Sequence, residues 1–516
     1  MTATLDPPAL SVPRATGGRR RAVVVGAGLG GLSVAMRLRH KGFDVTVIEK
    51  NDRPGGRCDT WSDAGFTFDT GPSILLMRDV LDTLFRDCGK RLEDHIDLVR
   101  LDPNYRITFH DGSELVISSH VQQMRDQLET FEPGAGDAYL RFLADAAAKY
   151  RVSRDHFVER NFLNLGQFLA PANLPRFMTS GALRHLGPHI RRYFKDPRLQ
   201  IAFTFQSMYL GIAPDDAPAV YALLSYTELA EGIWYPRGGL YEIPRTIARL
   251  LTEDGVDIRL GTTVTRIEHV AGKATGVRLA DDTVVAADLV VCNADLPWAY
   301  ENLLDGAARR PYGPRRLEKL RYGSSTLMLY LGMRNAPERL LHHNVYIGAD
   351  HRGNFDDIFR SPRVSADPAL YVHLPSRTDP TLAPPGHDCV FVLAPCAPTG
   401  AGLDWRGGAA QEMRGRVLQS MRHLGFDDPE RDIVTERMVT PDDWHDLYNL
   451  RRGATFGIAH DLFQVGVFRP ANRHATLRNL YFVGAATQPG GGVPMVMLGA
   501  RLVAERVAAE IGDGVR

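Results

Sequence analysis

The stretch AVVVGAGLGGLSVAMRLRHKGFDVTVIEK, residues 22–50, carries most of the information about the fold. The β-branched run Ala22–Val25 precedes glycines spaced G-x-G-x-x-G, and apolar residues then recur at helical spacing over Leu29–His40. A second β-branched run, Val45–Ile48, ends at Glu49. This order predicts a strand, a tight turn, a helix and a parallel strand, which is the unit that binds dinucleotides.

Each glycine of this motif has a physical role. Gly26 permits the turn, Gly28 lets the backbone approach a pyrophosphate, and Gly31 lets the helix pack closely on the strand. The free N–H groups and the positive dipole end of the helix attract phosphate. Glu49 stands where a carboxylate accepts both hydroxyls of a ribose. An incidental glycine turn is disfavoured because strand, helix, second strand and acid occur in register.

A second glycine turn follows in NDRPGGRCDTW, residues 51–61. Gly55 and Gly56 permit a tight turn, and the guanidinium of Arg57 is predicted to close over the same pyrophosphate. A nicotinamide enzyme has no need of this second clamp, whereas flavoproteins of the amine-oxidase-like superfamily carry it, and the pattern resembles theirs. The alternative for Arg57 is a surface salt bridge.

The far end of the chain, NLYFVGAATQPGGGVPMVMLGARLVAERVAAEI at residues 479–511, has the same strand, loop and helix order. The strand Leu480–Val483 ends at Gly484, and the loop leads through Gly492 and Val493 into a helix. A helix whose N-terminus points at a flavin would stabilise negative charge that develops on the reduced ring. We therefore expect both chain ends to build one cofactor site.

Composition limits the function classes. The 516 residues contain 61 basic and 61 acidic side chains, so no bulk charge favours nucleic acid as a partner. Five cysteines without C-x-x-C spacing indicate a reducing compartment without disulfides. The sequence shows no nucleophile arrangement, no metal-ligand spacing, and no run of about 18 apolar residues that would span a membrane. Residues 1–20 lack the apolar core of a signal peptide and are expected to be a disordered arm.

Six motifs in order carry a resemblance to a known family. They are GAGLGGL, RPGGR, FDTGPS (68–73), YALLSYTELAEGIWYPRGG (221–239), FRPANR (468–473) and LYFVGAATQPGGGVP (480–494). This set resembles the bacterial and fungal phytoene desaturases, a carotenoid desaturase family in the amine-oxidase-like flavoprotein superfamily. The resemblance extends from about residue 21 to residue 511.

The resemblance implies an α/β fold. It has a Rossmann-like FAD-binding domain with a parallel sheet, and a discontinuous substrate domain of mixed sheet plus a helical, membrane-associated cap. The predicted segments are 1–20 for the arm, 21–99, 236–314 and 461–516 for the FAD domain, and 100–235 and 315–460 for the substrate domain. Strands within residues 255–295 complete the FAD domain, where the backbone of Val264 is expected to face adenine; the alternative for Val264 is a core position.

The implied reaction is FAD-dependent desaturation of phytoene toward lycopene, by hydride transfer from an allylic C–H to flavin N5 and loss of a proton nearby. Candidates for handling the proton are Glu228, Glu231 and Arg237; a salt-bridged helix end is the alternative for the two acids. The predicted tunnel for the polyene has apolar and aromatic walls, although each residue taken singly also fits ordinary core. These residues are Phe203, Phe205, Met208, Tyr209, Tyr226 and Trp234.

A membrane face is expected within residues 185–205. Ile190, Tyr193 and Phe194 form its apolar side, and basic residues such as Arg191 and Arg192 would meet headgroups; the alternative is a solvated basic helix. The resemblance implies a peripheral protein on the cytoplasmic face of a membrane, with a hydrophobic polyene as its substrate. The electron acceptor would be oxygen or a quinone, and a homo-oligomer is possible.

Three rival functions remain open at this point. They are a diapophytoene or 3,4-desaturase, an amine- or protoporphyrinogen-type oxidase, and a flavin-independent prenyl-lipid carrier of the Rab GDP-dissociation-inhibitor type. The carrier is disfavoured because it has no reason to keep a pyrophosphate clamp.

Overall fold

A computed structural model describes residues 18–162, 165–168 and 170–512 of the chain. Most of the predicted N-terminal arm, residues 1–17, and the last residues of the predicted FAD domain, 513–516, lie outside the described residues. The strands are β1 Arg21–Val25, β2 Asp44–Ile48, β3 Thr60–Asp63, β4 Phe66–Asp69, β5 Leu98–Leu101, β6 Tyr105–Phe109, β7 Glu114–Ile117, β8 Ile233–Pro236, β9 Asp257–Arg259, β10 Val264–Val270, β11 Lys273–Leu279, β12 Val284–Ala286, β13 Leu289–Cys292, β14 Ser325–Met333, β15 His343–Ile347, β16 Leu370–His373, β17 Asp388–Cys396, β18 Ile433–Val439 and β19 Leu480–Phe482.

The α-helices connect these strands and cover the two main sheets. They are α1 Leu29–His40, α2 Arg78–Asp87, α3 Val121–Phe131, α4 Ala135–Ser153, α5 Leu165–Phe168, α6 Leu174–Thr179, α7 Leu186–Ile190, α8 Pro197–Ala202, α9 Leu223–Tyr226, α10 Glu242–Glu253, α11 Leu296–Asn302, α12 Gly306–Arg309, α13 Pro314–Lys319, α14 His351–Phe359, α15 Gly408–Met421, α16 Pro429–Asp432, α17 Pro441–Tyr448 and α18 Val493–Ile511. In the described ranges, no helix combines the length and apolar character that crossing a membrane requires.

A parallel sheet with strand order β19-β13-β1-β2-β9 forms the first layer. Ala22 in β1 pairs with Leu289 on one side and Val45 on the other, so β1 is central and its β-branched residues are buried. Helices α1, α10 and α18 pack together beside this sheet. The structure confirms the predicted helix Leu29–His40 and the predicted strands on both sides of it.

The second main sheet is mixed, with strand order β18-β14-β17-β16-β15-β6-β7. Its pairs are antiparallel except for β15 with β6. Side chains alternate between its faces along each strand. In β14, Leu327 and Leu329 pack toward α15, whereas Met328 faces the opposite side. This confirms the predicted mixed sheet.

The strands of each sheet come from separate parts of the chain. The parallel sheet draws on residues 21–48, 257–292 and 480–482, and the mixed sheet on residues 105–117 and 325–439. Strands near the two chain ends therefore lie in one sheet. The exact boundaries of the six predicted segments stay a prediction.

The expected apolar membrane side of residues 185–205 lies in the core instead. Ile190 and Phe194 are fully buried, and the ring of Phe194 stacks on Phe203 with centroids 4.7 Å apart. Phe142 packs against both rings of this pair. The prediction that Ile190 and Phe194 enter a bilayer is therefore wrong, because both residues pack within the helical region, whereas Tyr193 is only partly buried.

Candidate functional site

A cavity of about 810 Å³ runs from the carboxyl end of the parallel sheet to the inner face of the mixed sheet. At one end it is lined by glycine turns, and at the other by aliphatic and aromatic side chains. The turns after β1 and β19 meet there because parallel strands present their carboxyl ends at the same edge. One cavity thus joins the predicted cofactor site to the predicted substrate region.

The first glycine turn is built so that the backbone itself forms the cavity wall. Gly26 has φ +96°, and Gly28 caps the N-terminus of α1; both line the cavity. A Cβ on Gly28 would lie 2.7 Å from Nδ2 of Asn293. A Cβ on Gly31 would collide with the carbonyl oxygen of Gly26, so Gly31 serves the contact between helix and strand.

Glu49 holds this turn in place. Its Oε2 accepts a hydrogen bond from the Ala27 N–H at 2.7 Å, and its Oε1 accepts one from the Asn51 N–H at 3.0 Å. The carboxylate is buried and lines the cavity. Each oxygen retains acceptor capacity, so the same side chain can also receive ribose hydroxyls.

The second glycine turn lies against the first. Gly55 donates its N–H to the Ala27 carbonyl at 2.8 Å, and Gly55 and Gly56 both have positive φ. Arg57 Nη1 donates to the Thr455 carbonyl at 2.8 Å, and the side chain lines the cavity rather than forming a surface salt bridge. Burial lowers the pKa of this guanidinium, and the nearby charge of Asp295 opposes that shift.

The C-terminal glycine loop closes the cradle. Gly484 and Gly492 have φ +124° and φ +107°, conformations that strain any other residue. Gly492 caps α18 and Val493 begins it, so the free N–H groups of this helix meet the cavity. Val264, at the start of β10, also lines the cavity. Three separate chain segments thus form a cradle of backbone atoms, with space that side chains at the glycine positions would otherwise occupy. A dinucleotide fits this space.

Two polar residues of the cradle escaped the sequence analysis. The Asn293 amide lies between Gly28 and Gly30, where a Cβ on Gly30 would approach Oδ1 to 2.7 Å. Asp295 lines the cavity, and burial raises its pKa to about 6. Both closely follow β13, and the position after a parallel strand was the signal that could have identified them.

The predicted substrate residues divide into two groups. Phe205, Met208 and Tyr209 line the cavity, next to the inner face of the mixed sheet. Phe203 does not, since it is part of the aromatic core described above.

Tyr226 and Trp234 also lie outside the cavity lining. Tyr226 packs on Tyr150 with ring centroids 5.3 Å apart. Trp234 lies below the Arg78 guanidinium, whose central carbon is 4.7 Å from the ring centroid. The positions of both residues therefore do not fit direct contact with substrate.

Glu228 lies directly behind the cavity wall. Its Oε2 accepts hydrogen bonds from the Tyr105 hydroxyl at 2.9 Å and from Gln206 Nε2 at 3.3 Å, while Oε1 has no partner. Cavity-lining Tyr209 lies close enough to lower the pKa of this carboxyl, together with Tyr105 and Gln206, but burial has the larger effect. Burial raises the pKa of Glu228 to about 7. The residue lies in a π-helical turn, Thr227–Glu231, a rare geometry frequent at functional sites.

Glu231 and Arg237 lie elsewhere. Glu231 interacts with Tyr150 and Arg154, and burial raises its pKa. Arg237 is half-exposed, with its Nε 3.2 Å from Asp97 Oδ2. Neither residue lines the cavity, so their positions do not fit the predicted catalytic roles.

Comparison with known proteins identifies this architecture. Residues 29–508 match the family described as flavin containing amine oxidoreductase. A zeta-carotene-forming phytoene desaturase of Myxococcus xanthus is 49% identical over 489 residues, covering 95% of this chain and 94% of the relative. A phytoene desaturase of Neurospora crassa is 38% identical, covering 95% of this chain and 85% of the relative.

The fold is also found among solved structures. An oxidoreductase from Methanosarcina mazei superposes with a TM-score of 0.65 at 18% identity, covering 94% of this chain and 100% of the other. The Myxococcus xanthus and Neurospora crassa relatives match 95% of this chain, and they confirm its resemblance to carotenoid desaturases. This protein belongs to the flavin-containing amine oxidoreductase family, and FAD is the cofactor that its glycine cradle fits.

Proposed function

We propose that this protein is an FAD-dependent carotenoid desaturase that introduces conjugated double bonds into phytoene, with zeta-carotene as its first product and lycopene further along the same series. The observation that carries the proposal is the continuity of the cavity. Its glycine cradle opens directly onto a hydrocarbon-lined chamber beside the mixed sheet. The Myxococcus xanthus relative, named for forming zeta-carotene, supports this product.

The cradle residues would hold FAD along its length. Gly28 and the N-termini of α1 and α18 would offer backbone N–H groups to the pyrophosphate and the ring, and Glu49 would offer its carboxylate to the ribose. Bound FAD would supply the hydride acceptor for an allylic carbon. The cradle would hold that acceptor next to the chamber, because both belong to one cavity.

The chamber orients the polyene and excludes water. Its wall beside the mixed sheet is built from aliphatic side chains that alternate toward the inner face, including Val345, Ile347 and Leu393. A linear hydrocarbon has no polar group to fix its position, so its alignment depends on the shape of this wall.

Each new double bond also releases a proton, and we assign its acceptance to Glu228 acting through Tyr209. Tyr209 lines the chamber and lies between it and the Glu228 carboxylate, whose pKa it lowers. A tyrosine can pass its own proton to the carboxylate while it receives one from the chamber. With a pKa of about 7, Glu228 accepts and releases protons near neutral pH.

The substrate is proposed to enter from a bilayer through the mouth of the cavity. Phe468 lines the cavity and is also 45% exposed, so the cavity reaches the surface there. Leu174, Met178 and Phe463 are exposed on the adjoining segments. These four residues are called the mouth patch below.

Aromatic packing connects the two sides of the mouth patch. The ring of Phe168 contacts Phe177 of α6, at 5.6 Å between centroids, and Phe468, at 6.4 Å. Arg184 and Arg192 are exposed near Met178, where they would meet anionic headgroups. An apolar patch flanked by basic residues favours peripheral binding to a membrane surface. We propose the cytoplasmic face as that surface, since all five cysteines are free thiols.

The test is to supply phytoene in liposomes to the purified FAD-loaded protein and to analyse the extracted polyenes. Structured absorption bands of zeta-carotene or lycopene are the expected result, and supplying oxygen and a quinone in turn identifies the acceptor. Bound flavin with unchanged phytoene would transfer the assignment to a diapophytoene desaturase or another oxidase. A protein that binds no FAD would favour the lipid carrier.

A further inference from the structure

Three buried histidines meet on the inner face of the mixed sheet, beyond the wall of the cavity. His343 begins β15 and pairs across the strands with His373, which ends β16; His342 directly precedes β15. One ring nitrogen of each lies within 4.8 Å of those of the other two. His342 and His373 are 31 positions apart in sequence, so no local spacing revealed the cluster.

Two of the rings are held by hydrogen bonds on their outer nitrogen. His342 Nδ1 is 2.6 Å from Thr378 Oγ1, and His343 Nδ1 is 2.8 Å from the Tyr371 hydroxyl. Metal-binding histidines typically use the second ring nitrogen in this way, which fixes the orientation of the ring and leaves the first nitrogen for the ion.

The inner nitrogens have an incomplete set of hydrogen bonds. Nε2 of His342 and Nε2 of His373 are 2.9 Å apart and can share one proton. Nε2 of His343 is buried and has no hydrogen-bond partner. Unpaired buried polar atoms are rare in native structures, and each requires an explanation. A cation at the centre would accept lone pairs from all three rings at once.

The surroundings favour the neutral, ligating form of the rings. All three imidazoles are buried, and burial disfavours the charged form of a histidine. The ring of Tyr235 packs on His342, and its hydroxyl donates to Asp69 at 3.2 Å. A carboxylate therefore lies one side chain from the cluster and can balance a positive ion.

We propose that His342, His343 and His373 bind a divalent transition-metal ion, with Zn²⁺ as the first candidate. Three imidazoles suit zinc, copper, nickel or iron, whereas magnesium and calcium prefer oxygen ligands. A water molecule completes a tetrahedral zinc site of this kind. The ion cross-links β15 to β16, and the bond from His343 to cavity-lining Tyr371 transmits that constraint to the chamber wall.

The test uses the FAD-loaded full-length protein after chelator treatment and dialysis. Titration with Zn²⁺ by calorimetry is expected to give one equivalent bound, with a rise in the thermal midpoint. Co²⁺, a spectroscopic substitute for Zn²⁺, is expected to give visible ligand-field bands. Neither readout depends on desaturase activity. If the wild-type protein binds neither ion stoichiometrically, the proposal is overturned.

Three variants separate this site from binding elsewhere. His343→Gln is expected to abolish stoichiometric binding, and Thr378→Val, which removes an outer hydrogen bond, to weaken it about 10–100-fold. His474→Gln is the matched control, because this buried histidine already bonds to the Ala308 carbonyl and lies outside the cluster. Unchanged binding in His343→Gln would overturn the proposal. If that variant does not fold, Co²⁺ titration of Thr378→Val is compared with that of wild type. Weaker binding in the variant would support the site, and unchanged binding would contradict it.

Discussion

The two ends of the cavity are built by different means. The cradle end consists mainly of backbone, held by glycines with positive φ and by hydrogen bonds to the Glu49 carboxylate. The chamber end consists of side chains. Some come from every second position of strands in the mixed sheet, and others come from short helices. The cradle therefore depends on where side chains are absent, and the chamber depends on which side chains are present.

This difference teaches where each end tolerates change. The backbone around the cradle cannot accommodate a Cβ at a position such as Gly31, because the Cβ would meet a backbone atom and not the flexible end of a side chain. A side-chain wall can repack at modest cost if its total volume is kept. Substitutions in the cradle should therefore be close to all-or-none, whereas substitutions in the chamber should be graded.

The largest effect is expected from Gly31→Ala. The new Cβ would collide with the Gly26 carbonyl oxygen, so α1 and β1 must separate. We expect loss of bound FAD and destabilisation at or above the usual overpacking range of about 1–3 kcal/mol. Flavin absorbance per protein and the thermal midpoint measure both effects.

The control for this change is Gly415→Ala in α15. A Cβ on Gly415 would point into open space, with no neighbouring atom within 4 Å beyond the backbone of its own helix. This change is therefore expected to stabilise the helix by about 0.5–1 kcal/mol. Full retention of FAD by Gly31→Ala would contradict the account of the cradle.

Phe203→Ala tests whether the two kinds of aromatic residue in the helical region are correctly separated. Phe203 is fully packed among aromatic rings outside the cavity, so its removal should lower the free energy of unfolding by about 3–5 kcal/mol. Phe205→Ala, at the cavity, should change KM for the polyene as well. Chemical denaturation and steady-state kinetics distinguish the two, and a changed KM in folded Phe203→Ala would contradict the division.

The cradle could be predicted from sequence because it is local. Residues 22–57 contain two strands, one helix and both N-terminal glycine turns in succession, so spacing alone identifies which backbone atoms approach the ligand. The same holds for Gly484 to Val493 before α18. Asn293 was missed because its role depends on β13 lying beside β1, which is a contact between distant parts of the chain.

The chamber could not be predicted in the same detail. The chain from 197 to 231 forms only short helical pieces, which are α8, two 3-10 turns, α9 and a π-helical turn. None of them is long enough for its periodicity to assign an inner face. Phe203 and Phe205 are two residues apart yet face the core and the cavity. The pairing of His343 with His373 depends on strand register, which the sequence does not display locally.

Glu228→Gln tests the chemical role assigned behind the chamber. The amide keeps the size of the side chain but cannot accept a proton, so turnover should fall about 100-fold or more. In the wild type, turnover should rise as pH increases through about 7, because the carboxyl ionises there. A pH profile of the rate measures this, and Glu231→Gln, outside the cavity, is the control.

The raised pKa of Glu228 also predicts how the stability of the protein depends on pH. Because burial raises the pKa of Glu228 from 4.5 to about 7, the folded protein binds this proton more tightly than the unfolded chain. The contribution of Glu228 to the free energy of unfolding has its largest value below pH 4.5. It falls by about 3 kcal/mol as pH rises through 7. Glu228→Gln should flatten that part of the stability profile, and an unchanged slope would contradict the assignment.

Glu49→Gln sharpens the comparison at the cradle. An amide accepts only one of the two N–H groups and places its own NH₂ against the other. We expect a loss of about 1.5–3 kcal/mol in FAD binding, or roughly 10–100-fold in Kd. Fluorescence titration of the apoprotein measures it, and Asp52→Asn, an exposed neighbour, should leave Kd unchanged.

The smallest effect is expected at the mouth patch, where Phe463→Ser should weaken liposome binding about tenfold without changing the thermal midpoint. The side chain is 75% exposed, so folding gains little from it, whereas burial of a phenylalanine in lipid contributes about 1.5–3 kcal/mol. Val270→Ser is the matched control, since Val270 is 63% exposed on β10, outside the mouth patch. Equal loss in both variants, measured by flotation, would mean that exposed apolar area in general and not the mouth of the cavity contacts the bilayer.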